Sequence, residues 1–288
     1  MYLFSGVKAR TCTISTIDSS CLIYYVIGEN IRAFMTGSIT FINHASVLIS
    51  IDGSHIITDP NYNRSVGWVA PRMQKPGIPF NDLPRIDQIL ISHSDYDHLS
   101  MRTLRRLRRR NQSTVLVPHG DAKYARKAGF ETICEMNLWQ TYECNHTRIT
   151  CVPAKHKSNR ALFQRIKQMC CGYVIENHDT VVFFAGDTGY GEHFKEIASR
   201  FSIKAALLPI GAYKPHNWFR ELHLNPETAV QAFLDLKAEI LIPIHWGTFK
   251  ISDEPLREPP TLLLEQASRH GVTDKIHILK NGGVIKLL

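Results

Sequence analysis

Residues 88–98 read Gln88-Ile89-Leu90-Ile91-Ser92-His93-Ser94-Asp95-Tyr96-Asp97-His98. The opening residues form a short apolar run bounded by polar ones, which reads as a strand over 88–92 covered on both faces. Four groups able to ligate a metal follow at once: His93, Asp95, Asp97 and His98. A chain leaving such a strand presents its side chains to the crevice where open sheets bind ligands. Imidazole and carboxylate in one cluster favour a divalent transition metal, zinc first among them.

The same grammar of strand followed by polar residue recurs along the chain. His156 follows an expected strand at 149–152, Asp187 one at 180–185, and His245 one at 239–244. His223 lies in a polar loop before a helix expected over 226–237, with Asn225 as N-cap and Pro226 at the first helical position. Taken singly, each histidine reads as a hydrogen-bonded structural residue and Asp187 as a turn cap. Their recurrence at strand ends reads as one shared site. Further strands are expected at 39–42, 47–51, 55–58, 115–118, 205–210, 276–279 and 284–287. Helices are expected at 122–128, with Gly129 as cap, and near 261–269. Asp52-Gly53 marks a hairpin turn. Residues 61–85, rich in proline, read as a long ordered loop suited to substrate contacts. Packed sheets with helices outside fit this order.

Composition bounds the rest. With 288 residues, 44% hydrophobic and 21% charged, the profile is that of a globular protein with a sizeable core. No run approaches the length needed to cross a bilayer, and no secretory signal is expected. The seven cysteines form no Cys-x-x-Cys pair, so a reducing, cytoplasmic setting and buried thiols are expected rather than a disulfide framework. Part of the net charge of +8 lies in Met101–Arg110, where six arginines surround Leu104 and Leu107. That segment reads as a solvated helix or as an attractor of phospholipid, nucleic acid or phosphate ester. Residues 1–35 differ in character and read as an N-terminal extension before a domain over 36–288; Met35 could begin a shorter chain.

Ser92-His93-Ser94-Asp95-Tyr96-Asp97-His98-Leu99 resembles the His-x-His-x-Asp-His motif of the metallo-β-lactamase fold. Further stretches resemble the N-acylphosphatidylethanolamine-hydrolysing phospholipase D family and its bacterial relatives. They are 41–46 (Phe-Ile-Asn-His-Ala-Ser), Thr58-Asp59-Pro60, 184–190, 208–213, 223–227 and 245–249. The match runs from about residue 38 to the end. The resemblance implies an α/β fold, a four-layer αββα sandwich of two mixed sheets with helices outside, carrying two Zn2+. By motif, His93, Asp95 and His156 would hold the first metal, and Asp97, His98 and His245 the second, with Asp187 bridging. His223 matches a substrate-facing histidine, while His44 and His119 read as structural. Asp95 stands where the family has histidine; its harder oxygen could still ligate but would shift preference toward Mn2+ or Fe2+.

The implied reaction is phosphodiester hydrolysis by a metal-bridging hydroxide, with Asp97, Asp187 and His223 as catalytic residues. Lys155, Lys157 and Arg160 flank His156 and could meet a phosphate. The expected substrate is an N-acylated phosphatidylethanolamine or another phosphodiester, taken from a peripheral anionic membrane; a homodimer is also within the expectation. Two alternatives stay open: a sugar-phosphate lactonase or RNA/DNA phosphodiesterase of the same fold, and a catalytically weak nucleic-acid-binding protein.

Overall fold

The computed structural model describes residues 23–27, 30–34, 37–67, 70–158, 160, 169–215 and 221–287. The chain divides into two compact units, Met1–Thr36 and Gly37–Leu288. In the first, β1 (Ile23–Ile27) pairs antiparallel with β2 (Asn30–Phe34). The remainder of the segment expected as an extension, Cys12 and Cys21 included, lies outside the described residues.

The second unit opens with the meander β3 (Gly37–Asn43), β4 (Ser46–Ile51) and β5 (Ser54–Thr58). A two-stranded ribbon follows, β6 (Ser65–Val66) with β7 (Ala70–Pro71), and then β8 (Gln88–Leu90). Beyond α1 (Met101–Arg108) come β9 (Thr114–Pro118), α2 (Ala122–Ala128) and β10 (Ile133–Met136). Next are β11 (Thr141–Cys144), β12 (Thr147–Pro153), β13 (Cys171–Asn177) and β14 (Thr180–Phe184). The chain then forms α3 (His193–Arg200), β15 (Ala205–Pro209), α4 (Pro226–Leu236), β16 (Ile240–Ile244), α5 (Glu258–Arg269) and β17 (Val284–Leu287).

Two mixed sheets result. One runs β10-β9-β8-β5-β4-β3-β17, the other β11-β12-β13-β14-β15-β16. Alternation along each strand feeds two apolar layers at once. Val47, Ile49, Leu90 and Leu116 point between the sheets, against Tyr173, Phe184, Leu207 and Ile242. Leu48, Ile89, Val115 and Val117 point outward and are covered by Leu104 and Leu107 of α1 and Ala122 and Ala125 of α2. The second sheet sends Val174, Phe183 and Ala206 outward under Phe194 of α3, Phe233 of α4 and Leu263 of α5. This is the expected αββα sandwich.

Local signals explain most boundaries. Asn225 caps α4, its side chain accepting from Thr228 N at 2.9 Å, and Pro226 occupies the first turn. Gly129 ends α2 in the left-handed region at φ 94°. The strand expected at 276–279 does not form. After the 3-10 turn Thr273–Lys275 the segment makes only a single bridge, from Ile276 to Leu241. Cys134, Cys144, Cys151, Cys170 and Cys171 are free thiols, the last three buried.

The 60–85 loop is tied down at several points. Met73 N donates to Thr248 O at 2.7 Å and Gly77 N to Ile42 O at 2.8 Å, while Asn281 Nδ2 donates to Lys75 O at 2.7 Å. At Gly77 the loop crosses Gly282 so closely that a Cβ there would collide with the Gly282 amide nitrogen.

Leu207 is wholly buried in the layer between the sheets. Leu207→Ala is expected to cost about 2–5 kcal/mol, read as a lower midpoint in chemical denaturation.

Candidate metal centre

Strand ends of both sheets deliver the polar residues. His93, Asp95, Asp97 and His98 lie on the turn after β8; His156 follows β12, Asp187 follows β14 and His245 follows β16. His44 stands in the β3–β4 turn and Asp59 just past β5. His44, Asp59 and His245 adopt positive φ (47°, 33° and 58°), so each strand breaks sharply and its side chain turns inward.

The two sheets meet at this edge. A Cβ on Gly186 (φ 61°) would stand 2.5 Å from Ser92 Cβ, so only glycine lets the strand before Asp187 approach the ligand turn. Cys171 N donates to Ser92 O at 3.0 Å and the Tyr173 hydroxyl to Ile91 O at 2.9 Å.

The donor atoms converge in overlapping groups. His93, Asp95 and His156 form one, with Asp95 Oδ2 at 3.6 Å from His93 Nε2 and 3.7 Å from His156 Nε2. Asp97, His98 and His245 form another, with Asp97 Oδ2 at 3.5 Å and 3.4 Å from the Nε2 atoms of the two histidines. Asp187 Oδ2 stands between, 3.2 Å from both His98 Nε2 and His245 Nε2 and 4.0 Å from His93 Nε2. His223 faces it, Nδ1 to Oδ2 at 3.8 Å. Every residue expected at the site from the sequence is therefore brought together. Of the flanking cations, Lys155 pairs with Glu221 at 2.7 Å, Lys157 is exposed, and Arg160 stacks over Tyr96 at 3.8 Å.

Two members escaped the sequence reading. His44, structural by its sequence context, has its Nε2 3.0 Å from Asp97 Oδ2 and its ring 4.0 Å from that of His245. Asp59, known from the sequence only as part of the Thr58-Asp59-Pro60 stretch, carries no assigned role there. Its carboxylate accepts from Ser92 N at 2.8 Å, Ser92 Oγ at 2.5 Å and His98 Nδ1 at 2.7 Å. Nothing in a lone Asp-Pro pair separates such an anchor from an ordinary turn.

The donor set suits divalent cations. His98 donates from Nδ1 to Asp59 and His156 from Nδ1 to Leu222 O (2.9 Å), which leaves each Nε2 lone pair aimed into the cluster. His93 Nε2, His156 Nε2 and Asp187 Oδ1 are buried without a hydrogen-bond partner, a cost that a coordinated cation would remove. Charge is shared accordingly. Burial opposes the ionisation of Asp187, but His245, His98 and His223 outweigh it and hold its pKa well below the usual range. Burial likewise opposes protonation of His245, but Asp187 and Asp97 raise its pKa to about 9. For His98, Asp187, Asp97 and Asp59 outweigh burial and raise it well above 6.5. Burial dominates at His44 and His223, both lowered to about 3, so both stay neutral at ordinary pH.

A four-layer sandwich with a His/Asp centre on the edge where its sheets meet is the metallo-β-lactamase fold. The chain belongs to the beta-lactamase superfamily domain family, whose model matches residues 54–246. An uncharacterized protein of Mycobacterium tuberculosis is 34% identical over 247 residues, covering 82% of this chain and 65% of its own. The mitochondrial N-acyl-phosphatidylethanolamine-hydrolyzing phospholipase D of Saccharomyces cerevisiae is 30% identical over 239 residues, 78% of this chain and 51% of the yeast protein. The chain thus spans between half and two-thirds of the length of these relatives. Among solved structures, the Igni18 metallo hydrolase of Ignicoccus hospitalis superposes with a TM-score of 0.69 at 21% identity, over 88% of this chain and 99% of Igni18, a likeness of fold.

Asp59→Asn is expected to weaken divalent-metal retention about 10–100-fold, read by elemental analysis of protein whose circular dichroism is unchanged. Asp187 and Asp97 raise the pKa of His245 to about 9 and shift His98 upward as well, so protons compete with metal for this His98–His245 pair at neutral pH. A metal must displace those protons, so affinity should climb with pH and level off near the His245 value of about 9. Calorimetry in buffers of different ionisation enthalpy should register the released protons.

Proposed function

We infer that this protein is a metal-dependent phosphodiesterase of phospholipase D type, which hydrolyses N-acylphosphatidylethanolamine to phosphatidate and N-acylethanolamine. One observation carries the reading. The seven groups assigned as ligands by motif meet in overlapping, largely buried groups at one edge, in a chain 30% identical over 239 residues to a yeast protein named for that reaction.

His93, Asp95 and His156 would hold one cation, and Asp97, His98 and His245 a second, with Asp187 between them. Each half offers two imidazoles and one carboxylate, a set that suits zinc, and the carboxylate at Asp95 moves preference there toward manganese or iron. Bound there, the cations supply Lewis acidity and lower the pKa of water. The protein's own groups do the remainder. Asp187 faces the histidines of both halves and would help hold either cation. Asp97 accepts from neutral His44 and so keeps its carboxylate turned toward His98 and His245. Water adds to phosphorus as the bond to the ethanolamine oxygen breaks. His223, neutral and at the rim, donates a ring N–H to charge growing on that leaving oxygen.

A screen of zinc, manganese and iron against N-acyl phospholipid and RNA tests this. Metal-dependent release of phosphatidate is expected, lost on chelation and abolished by Asp187→Asn with circular dichroism unchanged. Full activity in that variant would remove the mechanism, and turnover of RNA without lipid would move the activity to nucleic acid.

A further inference from the structure

The face beside the metal centre is basic to an unusual degree. Two residues separate His98 from the start of α1, and Arg108 of α1 ties that helix to the end of α2 through Gly129 O at 2.7 Å. Neither helix contains an acidic residue: they read MRTLRRLR and AKYARKA. The basic residues of these helices and of the two positions after α1 divide into two kinds. Arg106 lies 3.6 Å over the Phe80 ring, Arg110 donates to the Phe80 and Asn81 carbonyls, and Arg108 meets Glu131 at 2.7 Å. These three hold the helix to its surroundings. Arg102, Arg105, Arg109, Arg126 and Lys127 are instead exposed on the outer layer of the sandwich.

This face reaches the catalytic edge. An open groove of about 490 Å³ is shared by Arg102 and Met101 of α1, Lys127 of α2, and Tyr96. Tyr96 sits between Asp95 and Asp97 of the ligand turn, yet is 57% exposed. Arg160 covers one of its faces at 3.8 Å.

We propose that the α1–α2 face, with Tyr96 at its rim, docks the protein on an anionic phospholipid bilayer so that the metal centre opens toward the lipid it hydrolyses. The proposal rests on the phospholipase reading and adds the surface that reading requires. Exposed cations on the outside of two adjacent helices match a charged plane, where each contributes independently. Tyrosine beside them suits the headgroup level, having an apolar ring and a polar tip. A polynucleotide fits less well: base stacking needs open aromatic faces along a channel, and one face of Tyr96 is already covered.

Flotation of the full chain with vesicles tests it. Binding is expected to vesicles of phosphatidylcholine mixed with phosphatidylglycerol, weakening with salt, and not to phosphatidylcholine alone. Removing charge in R102Q/R105Q/K127Q should lower the partition by roughly fivefold per residue. Tyr96→Ala should lower what binding survives at high salt, and circular dichroism confirms that each variant is folded. Equal binding to neutral vesicles, or an unchanged partition in the triple variant, would overturn the docking face. So would wild-type protein leaving the vesicles for a single-stranded oligonucleotide at equal phosphate. Hydrolysis of lipid in detergent without vesicle binding would remove the face and keep the enzyme reading; vesicle binding without any hydrolysis would do the reverse.

Discussion

One buried carboxylate organises the centre. Asp59 takes three hydrogen bonds, two from Ser92 and one from the His98 ring, at 2.5–2.8 Å. A carboxylate is costly to bury unless its oxygens are satisfied in this way. The bonds do two things at once. They pin the start of the ligand turn to the end of β5, and they fix the His98 ring so that its second nitrogen points at Asp97 and Asp187. Ser92 in turn packs on Gly186, so the position of Asp187, on the other sheet, depends on the same anchor.

The rest of the centre is held by backbone that breaks abruptly at strand ends. Left-handed conformations at His44 and His245 cost on the order of 1–2 kcal/mol each for residues with a side chain. Hydrogen bonds on both sides over-determine them: His245 N donates to His44 O at 2.8 Å, and His44 N to the Thr248 hydroxyl at 2.9 Å. The first sheet and the second are therefore stitched together at the two histidines that flank Asp97. Rigidity here is a property of the junction between layers.

Much of this was legible in the chain. Dense ligands after an apolar run, and lone polar residues after others, report strand ends because side-chain chemistry and strand termination are both local. The N-cap at Asn225 and the cap at Gly129 are equally local. What escaped is non-local. β13 begins Cys171-Gly172 and lacks the plain β-branched run of its neighbours, though it lies in the middle of the second sheet. Gly172 is needed there because a Cβ would stand 2.8 Å from Phe184 O, a demand made by the far end of the neighbouring strand β14 and visible only once the two strands pair. Asp59 and His44 escaped for the same reason, their roles being set by partners dozens or hundreds of positions away. The expected strand at 276–279 failed because its apolar alternation serves to cover the second sheet's outer face, where Ile276 and Ile278 pack, without extending a ladder.

The crossing of Gly77 and Gly282 gives the tail of the domain a bearing on chemistry it never touches. Strand β17 completes the first sheet beside β3, and the turn before it clasps the proline-rich loop, whose next contacts run to Ile42 and Thr248 on either side of His44. The segment that carries no ligand thus closes the ring of contacts around the ligand-bearing ones. Anything that loosens those final residues is transmitted to the innermost histidine through two backbone amides, as a slackened hoop is felt by every stave.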